Sequence, residues 1–353
     1  MKTEHLLIIR FSALGDVAMT VPIVSSLARQ YPDLRITVLS RSFMRPLFED
    51  IAPNVGFMGA DLKKEYHGIR GLNALYRRLV AKNFTAVADL HNVLRSSYLR
   101  MRFNVARYRV EHIDKNRKGR RTLTKKEGKQ LVRQQSSFEK YADVLARLGY
   151  PIKMDFVSIF PPEGGPMGEI VDAIGEKKGF QQWIGVAPFA AHNGKIYPQE
   201  KTLEVIKQLL VKHPSARIFL FGGGDNELAV MKKWAAEVPQ CTVVPEKLKG
   251  FRNELILMSH LDVMLSMDSA NMHLASLVAT PVVSIWGATH PFAGFAGWNQ
   301  AEENIIQLDM PCRPCSIYGN RPCLRGDFAC LNDIAPERIV DRIEETLEKN
   351  HRA

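Results

Sequence analysis

The sequence predicts an α/β protein made of two successive Rossmann-like, doubly wound domains that face an interdomain cleft. Three observations lead to this prediction. The 353 residues are more than one ordinary hydrophobic core accommodates. Apolar, strand-like runs alternate with helix-like segments, a pattern that indicates parallel strands joined by right-handed crossovers. A segment over residues 161–182, which opens with prolines and glycines, separates two such series.

The first predicted domain spans residues 1–165 and begins with a βαβ unit. A Tyr-Pro-Asp turn ends the helix of that unit. A later strand is followed by two polar residues, His91 and Asn92, at its carboxyl end. The predicted elements are strand 6–11, turn 12–16, helix 17–30, strand 35–39, strand 86–90 and helix 138–148.

The second predicted domain spans residues 180–335 and repeats the alternation of strands and helices. Doubly wound halves of this kind bind ligands beyond the carboxyl ends of their strands. A last helix, residues 336–353, starts with a proline, which suits a first helical turn. The other elements are strand 183–186, helix 200–212, strand 216–221, helix 226–238, strand 241–244, helix 253–259, strand 263–266, a helix from Asn271, and strand 281–286.

Composition limits the class of protein. With 46% hydrophobic and 24% charged residues, the chain matches folded globular proteins. Its apolar runs fall far short of the roughly 20 residues that span a bilayer, and its first residues lack the pattern of a secretory signal. We therefore expect a cytoplasmic protein. The net charge of +11 predicts an anionic partner, for which nucleic acid, a phosphorylated ligand and an anionic membrane all qualify.

The turn at residues 10–17 places a carboxylate, Asp16, between the first strand and the first helix. Asp is favoured as a helix cap, so capping alone would explain it. A catalytic role is compatible with capping, because both place the carboxylate at a strand end that faces the ligand crevice. The turn lacks the three glycines of the dinucleotide fingerprint, which disfavours NAD as a ligand.

A second candidate site lies at residues 267–275, where small residues join a strand to a helix. Free backbone N–H groups around Ser269 and Ala270 would bind phosphate at the positive end of the helix dipole. The alternative is that Asp268 or Ser269 only caps a buried helix. His273, one turn into that helix, fits either a ligand contact or an interior histidine.

Two further loops follow strands of the second domain. Lys195 lies in the loop over residues 188–198 and is a candidate to neutralise a diphosphate, although loop lysines are usually solvated. Glu227 follows the glycine-rich turn at 222–224 and could bind a ribose hydroxyl or simply favour a helix start. That turn has no Walker lysine, so it is not a P-loop.

In their order along the chain, these motifs resemble glycosyltransferase family 9, the heptosyltransferases of lipopolysaccharide core assembly, whose fold is called GT-B. Any one motif is weak, and the ordered set is specific. The residues that carry the resemblance are Ser12-Ala13-Leu14-Gly15-Asp16-Val17 with Pro22, the loop ending at Lys195, Asp268-Ser269-Ala270-Asn271-Met272-His273, Ser284-Ile285-Trp286-Gly287-Ala288-Thr289-His290-Pro291 and Cys312-Arg313-Pro314-Cys315.

The resemblance implies an inverting transfer of heptose from ADP-heptose that needs no metal and no cofactor. Asp16 would be the general base that deprotonates the acceptor hydroxyl. Lys195 and the backbone N–H groups near Ser269 and Ala270 would hold the departing diphosphate. The resemblance also implies that the last helix, residues 336–353, returns to the first domain.

The remaining contacts that the resemblance implies concern the donor. Asp268 and His273 would contact its sugar or phosphate, and Glu227 its ribose. The chain has Ala270 where the family usually has Gly, and it has alanines at 190 and 191 where relatives often carry hydroxyl residues. These differences leave the identity of the nucleotide open.

Residues 95–133 are strongly basic. From Lys115 to Arg133 the chain has nine Lys or Arg residues and one acid, Glu127. Such runs are usually solvated. Nucleic-acid binding would favour interleaved aromatics, and none lies between Tyr108 and Phe138. We therefore expect this region of the N-terminal half to bind an anionic, lipid-linked saccharide acceptor, the lipopolysaccharide inner core as Kdo-lipid A or a heptosylated form, at the cytoplasmic face of the inner membrane.

Four of the five cysteines have the spacing C-x2-C-x7-C-x6-C, which could hold a structural zinc ion. They are Cys312, Cys315, Cys323 and Cys330. Free or redox-labile thiols are favoured, because only one close CxxC pair is present. Three alternatives to the heptosyltransferase remain: a GT-B enzyme for another nucleotide sugar, a basic nucleic-acid-binding protein, and a non-catalytic sugar-nucleotide sensor.

Overall fold

The computed structural model describes residues 4–352, and it describes side chains up to residue 349. These residues form two compact units. The first unit comprises the described residues up to Asn116 together with Gln135–Ile159, and the second comprises Arg117–Gln134 together with the chain from Phe160 onward. The chain therefore passes into the second unit, returns to the first and passes into the second again.

Up to residue 159, strands and helices alternate, with additional elements over residues 55–80 and 94–123 that were not predicted from the sequence. The predicted helix 17–30 is two helices, because the chain turns at Met19 and Thr20. The elements are β1 (His5–Ile9), α1 (Leu14–Ala18), α2 (Val21–Gln30), β2 (Arg35–Ser40), β3 (Val55–Gly59), α3 (Gly68–Val80), β4 (Ala86–Asp89), α4 (Leu94–Val105), β5 (Arg109–His112), α5 (Arg117–Leu123) and α6 (Ser137–Arg147).

From residue 160 onward the alternation continues. The elements are α7 (Val171–Ile174), β6 (Trp183–Ala187), α8 (Gln199–Lys212), β7 (Arg217–Leu220), α9 (Asp225–Glu237), β8 (Cys241–Val243), α10 (Val244–Lys247), α11 (Phe251–Ser259), β9 (Val263–Met267), α12 (Ala270–Leu277), β10 (Val282–Ile285), β11 (Ile305–Ile306), α13 (Ala329–Asn332) and α14 (Pro336–Arg352).

Each unit is built on one parallel sheet. The first sheet has the strand order β3-β2-β1-β4-β5, and the second has the order β11-β10-β9-β6-β7-β8. The central strands β1, β6 and β9 are buried along their whole length, as expected where helices cover both faces of a parallel sheet. The strand order reverses beside β1 and β4 in one unit and beside β6 and β9 in the other. Ligand sites are expected beyond the carboxyl ends of the strands at these positions.

The structure differs from the predicted domain division in two respects. The second unit begins at Phe160, ahead of the predicted boundary, and it includes the basic residues 117–134. Helix α14 was expected to return to the first domain. Its buried side chains instead join the core of the second unit, where the helix packs against α8. The apolar residues of α14 recur at helical spacing, so one face of the helix is buried in that core: Ile339, Val340, Ile343 and Leu347.

A membrane-spanning helix would have to be both long and apolar. Among the helices of residues 4–352, none meets both conditions.

Candidate active site

In the first unit, a buried arginine holds the predicted catalytic carboxylate. Arg10 directly follows β1, and its Nη2 lies 2.7 Å from Oδ1 of Asp16. Its Nη1 donates to the carbonyl oxygen of Leu90 at 2.6 Å. Because Leu90 follows the neighbouring strand β4, the guanidinium joins the ends of two adjacent strands to the carboxylate. This contact fixes the position of Asp16 at the carboxyl edge of the sheet.

Asp16 itself lies in the first turn of α1, which begins at Leu14. Its Oδ2 accepts a hydrogen bond from the N–H of Ala13 at 3.2 Å, so the residue does cap the helix. The side chain is nevertheless 31% exposed. A carboxylate oxygen can accept more than one hydrogen bond, and this exposure leaves Asp16 accessible to a reactant. Capping and accessibility to a ligand therefore coexist at this residue.

His91 follows β4 in the chain and contacts the segment between β1 and α1. Burial, together with the charges of Arg10 and Lys115, lowers the pKa of His91 to about 3. The imidazole is therefore neutral near pH 7. Its Nδ1 accepts from the N–H of Phe11 at 3.4 Å, and its Nε2 lies 3.5 Å from Oγ of Ser12. With Nδ1 as the acceptor, the proton resides on Nε2 and faces Ser12.

A cavity of about 780 Å³ opens at this edge of the first sheet. Its walls come from the segments that follow β1, β2, β3 and β4, and they combine apolar with basic side chains. The lining residues are Phe11, Ser12, Arg41, Ser42, Phe43, Ala60, Asp61, Leu62, Lys63, Lys64, His91, Val93, Leu94 and Arg95. Large pockets of this composition are the default binding sites of α/β domains.

In the second unit, the structure brings together two residues that the sequence places 73 positions apart. Nζ of Lys195 lies 3.1 Å from Oδ2 of Asp268, and both side chains are largely buried. The hydroxyl of Thr289 donates to the same Oδ2 at 2.8 Å. Lys195 follows β6, Asp268 follows β9 and Thr289 follows β10, so three neighbouring strands present this cluster at the reversal of strand order.

The cluster adjoins the start of α12. Ser269 is the residue before this helix, and its side chain makes no capping hydrogen bond. Its Oγ lies instead 3.3 Å from Oγ of Ser266. Helix α12 begins at Ala270, and the Ser269 side chain does not cap the N–H groups of its first turn. A helix start beside a lysine ammonium favours an anion such as phosphate.

Arg313 holds the loop that carries Thr289. Its buried guanidinium donates to the carbonyl oxygens of Trp286 at 3.1 Å and Thr289 at 2.9 Å. It also donates to the carbonyl oxygen of Gly287 and to that of Leu308. Arg313 belongs to a motif that carries the family resemblance, but no role was predicted for it from the sequence. Three of these four carbonyl oxygens lie 24 to 27 positions away in the chain.

Two other candidates have clear structural roles. Glu227 lies in the first turn of α9, and its Oε2 accepts from the N–H of Gly223 at 2.7 Å. This bond closes the glycine-rich turn after β7, at the same edge of the sheet as Lys195. His273 lies one turn into α12 with its side chain buried. The ribose contact of Glu227 and the donor contact of His273 stay predictions.

The clustered cysteines are free thiols. Within residues 4–352, no three side chains of the His, Cys, Asp and Glu types are arranged to hold a metal ion. Burial raises the pKa of Cys330 to about 11. Cys323 is half-buried, and its pKa shifts in the opposite direction. Burial acts against its thiolate, but backbone N–H groups at residues 325–328 outweigh this effect and lower its pKa.

The basic segment after residue 116 packs onto the second unit, which corrects its predicted place in the N-terminal half. Nζ of Lys129 donates to the carbonyl oxygens of Pro311, Cys312 and Pro314 at 3.2, 2.6 and 3.1 Å. Arg120 donates to the hydroxyl of Tyr318 at 2.7 Å. These cations are engaged by the second unit itself, so they form part of its structure.

The family model described as "Glycosyltransferase family 9 (heptosyltransferase)" matches residues 72–322, well over half of the chain. This chain belongs to glycosyltransferase family 9. It is therefore an enzyme that transfers a glycosyl group. The predicted family, enzyme class and GT-B fold are confirmed, and the alternatives of a nucleic-acid-binding protein and a non-catalytic sensor are not supported.

Known members of family 9 resemble this chain over most of its length. "Lipopolysaccharide heptosyltransferase 3" of Escherichia coli is 26% identical over 315 residues, which are 85% of this chain and 88% of the relative. Among solved structures, a family 9 glycosyltransferase from Veillonella parvula superimposes with a TM-score of 0.74 at 18% identity, covering 99% and 98% of the two chains. The structure titled "E. coli heptosyltransferase WaaC with ADP" gives a TM-score of 0.67 at 17% identity, covering 98% and 99%.

The candidate site residues fall into two groups. Sequence reasoning identified Asp16, Lys195 and Asp268, which follow strands β1, β6 and β9. It missed the partners that hold them, Arg10 and Thr289. Arg10 directly follows β1, and Thr289 lies in the loop after β10; these positions near strand ends were the available signal.

Proposed function

We propose that this family 9 glycosyltransferase transfers heptose from ADP-heptose to the inner core of lipopolysaccharide, with inversion at the anomeric carbon and without a metal ion. The observation that carries the proposal is the anion site of the second unit, in which the Lys195 ammonium adjoins the start of α12. A solved structure of the same fold, the heptosyltransferase WaaC of E. coli, is a complex with ADP. A diphosphate is the part of the donor that such a site suits best.

In the proposed reaction, the acceptor oxygen attacks the anomeric carbon of heptose while the bond from that carbon to the phosphate oxygen breaks. Asp16 takes the proton of the acceptor hydroxyl. ADP leaves with the electron pair of the broken bond, and the Lys195 ammonium and the N–H groups of α12 stabilise its charge. A positioned base contributes typically 10²–10⁴-fold to such a rate, and fixed positive groups lower the barrier further.

Asp268 has a positioning role in this scheme. Its carboxylate holds the lysine ammonium at 3.1 Å, and Thr289 orients the carboxylate from the other side. A lysine that is already in place loses little conformational freedom when the diphosphate binds. Glu227 and His273 are proposed to contact the ribose and the sugar or phosphate of the donor.

The acceptor is proposed to bind in the cavity of the first unit. Arg41, Lys63, Lys64 and Arg95 give this cavity a positive lining, which suits the phosphates and carboxylates of Kdo-lipid A or a heptosylated core. Arg95 lines the cavity and belongs to residues 95–133, the basic region that was expected to bind the acceptor. The acceptor is anchored in lipid, so we place the enzyme in the cytoplasm, at the inner face of the inner membrane.

A panel of nucleotide sugars tests the donor. We expect ADP-heptose to raise the melting temperature more than UDP- and GDP-sugars do, since a ligand at 100 times its dissociation constant adds about 2.7 kcal/mol. Transfer to Kdo-lipid A should continue in the presence of a chelator and should invert the anomeric configuration. Stabilisation by a UDP-sugar alone would favour the alternative of another nucleotide sugar, which the alanines at 190, 191 and 270 keep open.

A further inference from the structure

Helix α4 presents an unusual surface in the first unit. Its inner face is buried through Ser96, Leu99 and Phe103. On its outer side, the side chains of Leu94, Met101 and Val105 are 92%, 49% and 77% exposed. Met101 and Val105 lie seven and eleven positions after Leu94, so the three side chains are on a single face of the helix. We call these three residues the α4 stripe.

Arginines dominate the charge of the segment that carries the α4 stripe. From His91 to Val110 the chain has five arginines and no acid. Three of the arginines are engaged by the fold, since Arg100 pairs with Asp89, Arg102 lies over the ring of Tyr76, and Arg109 pairs with Glu4. Arg95 and Arg107 are exposed. The apolar stripe therefore lies among cations.

The α4 stripe is continuous with the rim of the cavity. Leu94 begins the helix and also lines the cavity, together with Phe43, whose side chain is 47% exposed. The guanidinium of Arg41 stacks over the ring of Phe43 at 4.7 Å. Lys63 and Lys64 are exposed on the same rim, as is one acid, Asp61. One surface thus combines insertable apolar side chains with cations at the mouth of the proposed acceptor site.

We propose that the α4 stripe, with Arg95 and Arg107, is the surface by which this enzyme binds an anionic lipid bilayer. Apolar side chains would enter the interface between headgroups and acyl chains, and the arginines would contact lipid phosphates. The biological purpose of this surface, to bring the mouth of the cavity to a lipid-anchored acceptor, rests on the proposed function. The binding of lipid itself does not. The stripe is aliphatic, whereas a single-stranded nucleic acid is bound through aromatic stacking surfaces.

Vesicle sedimentation tests the surface independently of catalysis. The full-length enzyme is mixed with vesicles of phosphatidylcholine alone or of phosphatidylcholine with phosphatidylglycerol, at low and high salt. We expect binding to the anionic vesicles, weakened by salt because charge contributes. Failure of the wild-type enzyme to sediment with anionic vesicles at low salt would overturn the proposal.

Variants locate the binding surface. Met101→Ser combined with Val105→Ser should lower the partition coefficient between vesicles and buffer about tenfold or more, since two apolar side chains that would enter the bilayer are lost. Arg107→Asn should lower it about fivefold. Asparagine tolerates the left-handed backbone of residue 107, whose φ is 59°. The control for the double variant is Val157→Ser combined with Val211→Ser, because both valines are also exposed. The control for Arg107→Asn is Lys247→Gln. Equal losses in the controls would contradict the assignment to α4.

A transfer assay separates this proposal from the proposed function. The Met101 and Val105 variant should transfer heptose normally to a delipidated core oligosaccharide and poorly to acceptor embedded in vesicles. Loss of activity on both acceptors alike would overturn the lipid-binding role. If the wild-type enzyme bound vesicles through α4 but transferred no heptose, the proposed function would fail and the lipid-binding surface would stand.

Discussion

The Lys195 ammonium and the Asp268 carboxylate lie 3.1 Å apart in a largely buried ion pair. The pair joins the loop after β6 to the loop after β9, next to the first turn of α12. It explains how a loop lysine, a kind of residue that is usually solvated, is held at a fixed position. In the proposed reaction that position is where the diphosphate charge develops.

Removing one partner of this pair should affect both stability and donor binding. We expect Lys195→Met to lower the free energy of unfolding by about 3 kcal/mol, because Asp268 loses its cation in a buried setting. The affinity for ADP should fall at least tenfold. Denaturant unfolding and calorimetric titration with ADP measure the two effects. Lys207→Met, which breaks an exposed pair with Glu237, is the control and should cost less than about 1 kcal/mol.

Arg313 should act on the donor site through the loop that it holds. Arg313→Lys removes a planar set of donors and leaves buried carbonyl oxygens without partners, so we expect a loss of about 2 kcal/mol or more in stability. Thr289 would then orient Asp268 less well, and KM for the donor should rise more than KM for the acceptor. Arg321→Lys, at an exposed position of the following segment, should change neither constant. Equal changes for donor and acceptor would indicate a merely structural role.

The neutral imidazole of His91 predicts a specific dependence of stability on pH. Its pKa falls from 6.5 to about 3 on folding, so the unfolded chain binds more protons between these values. Stability from this group is present above pH 6.5 and declines as the pH falls toward 3. His91→Gln should therefore flatten the loss of stability between pH 7 and pH 5, as measured by urea unfolding. His67→Gln, at an exposed position, should leave the slope as it is in the wild type.

The cysteines should react in a defined order. The thiolate of Cys323 is stabilised by backbone N–H groups despite partial burial, whereas burial raises the pKa values of Cys330 and Cys241 to about 11 and about 12. Timed alkylation with iodoacetamide at pH 8, followed by mass spectrometry, should label Cys323 first. Labelling of Cys330 at the same rate would contradict this order. Protection of Cys323 that a chelator removes would instead indicate a bound zinc ion.

Local sequence patterns predict the central strands well because a parallel sheet buries both faces of those strands. The edge strands β3, β5 and β11 were not predicted. The strand predicted at 263–266 corresponds to β9, Val263–Met267. Local patterns predict the place of Asp16, Lys195 and Asp268 at strand ends for the same reason. Arg10 and Asp16 meet within one turn after β1. The contacts among Lys195, Asp268 and Thr289 depend instead on the order of strands in the sheet, and no local pattern encodes that order.

Long-range packing explains the remaining differences. The apolar face of α14 is visible in the sequence, but the surface that it covers is not, and it covers the core of the second unit. The cations of residues 117–134 look solvated from composition alone. Lys129 is instead held by three carbonyl oxygens that lie more than 180 positions away. Contacts at that distance in the chain are decided only by the tertiary fold.

The role of Asp16 as the base is the central claim, and the rate of transfer by Asp16→Asn tests it most directly. The control is Glu139→Gln, since Glu139 also accepts a hydrogen bond from the start of its own helix and so shares the capping role. We predict that Asp16→Asn lowers kcat by about 10²–10⁴-fold while ADP binding stays within a few-fold of wild type and Glu139→Gln remains active. An Asp16→Asn enzyme that keeps its kcat to within about threefold, well short of what a positioned base supplies, would contradict the account.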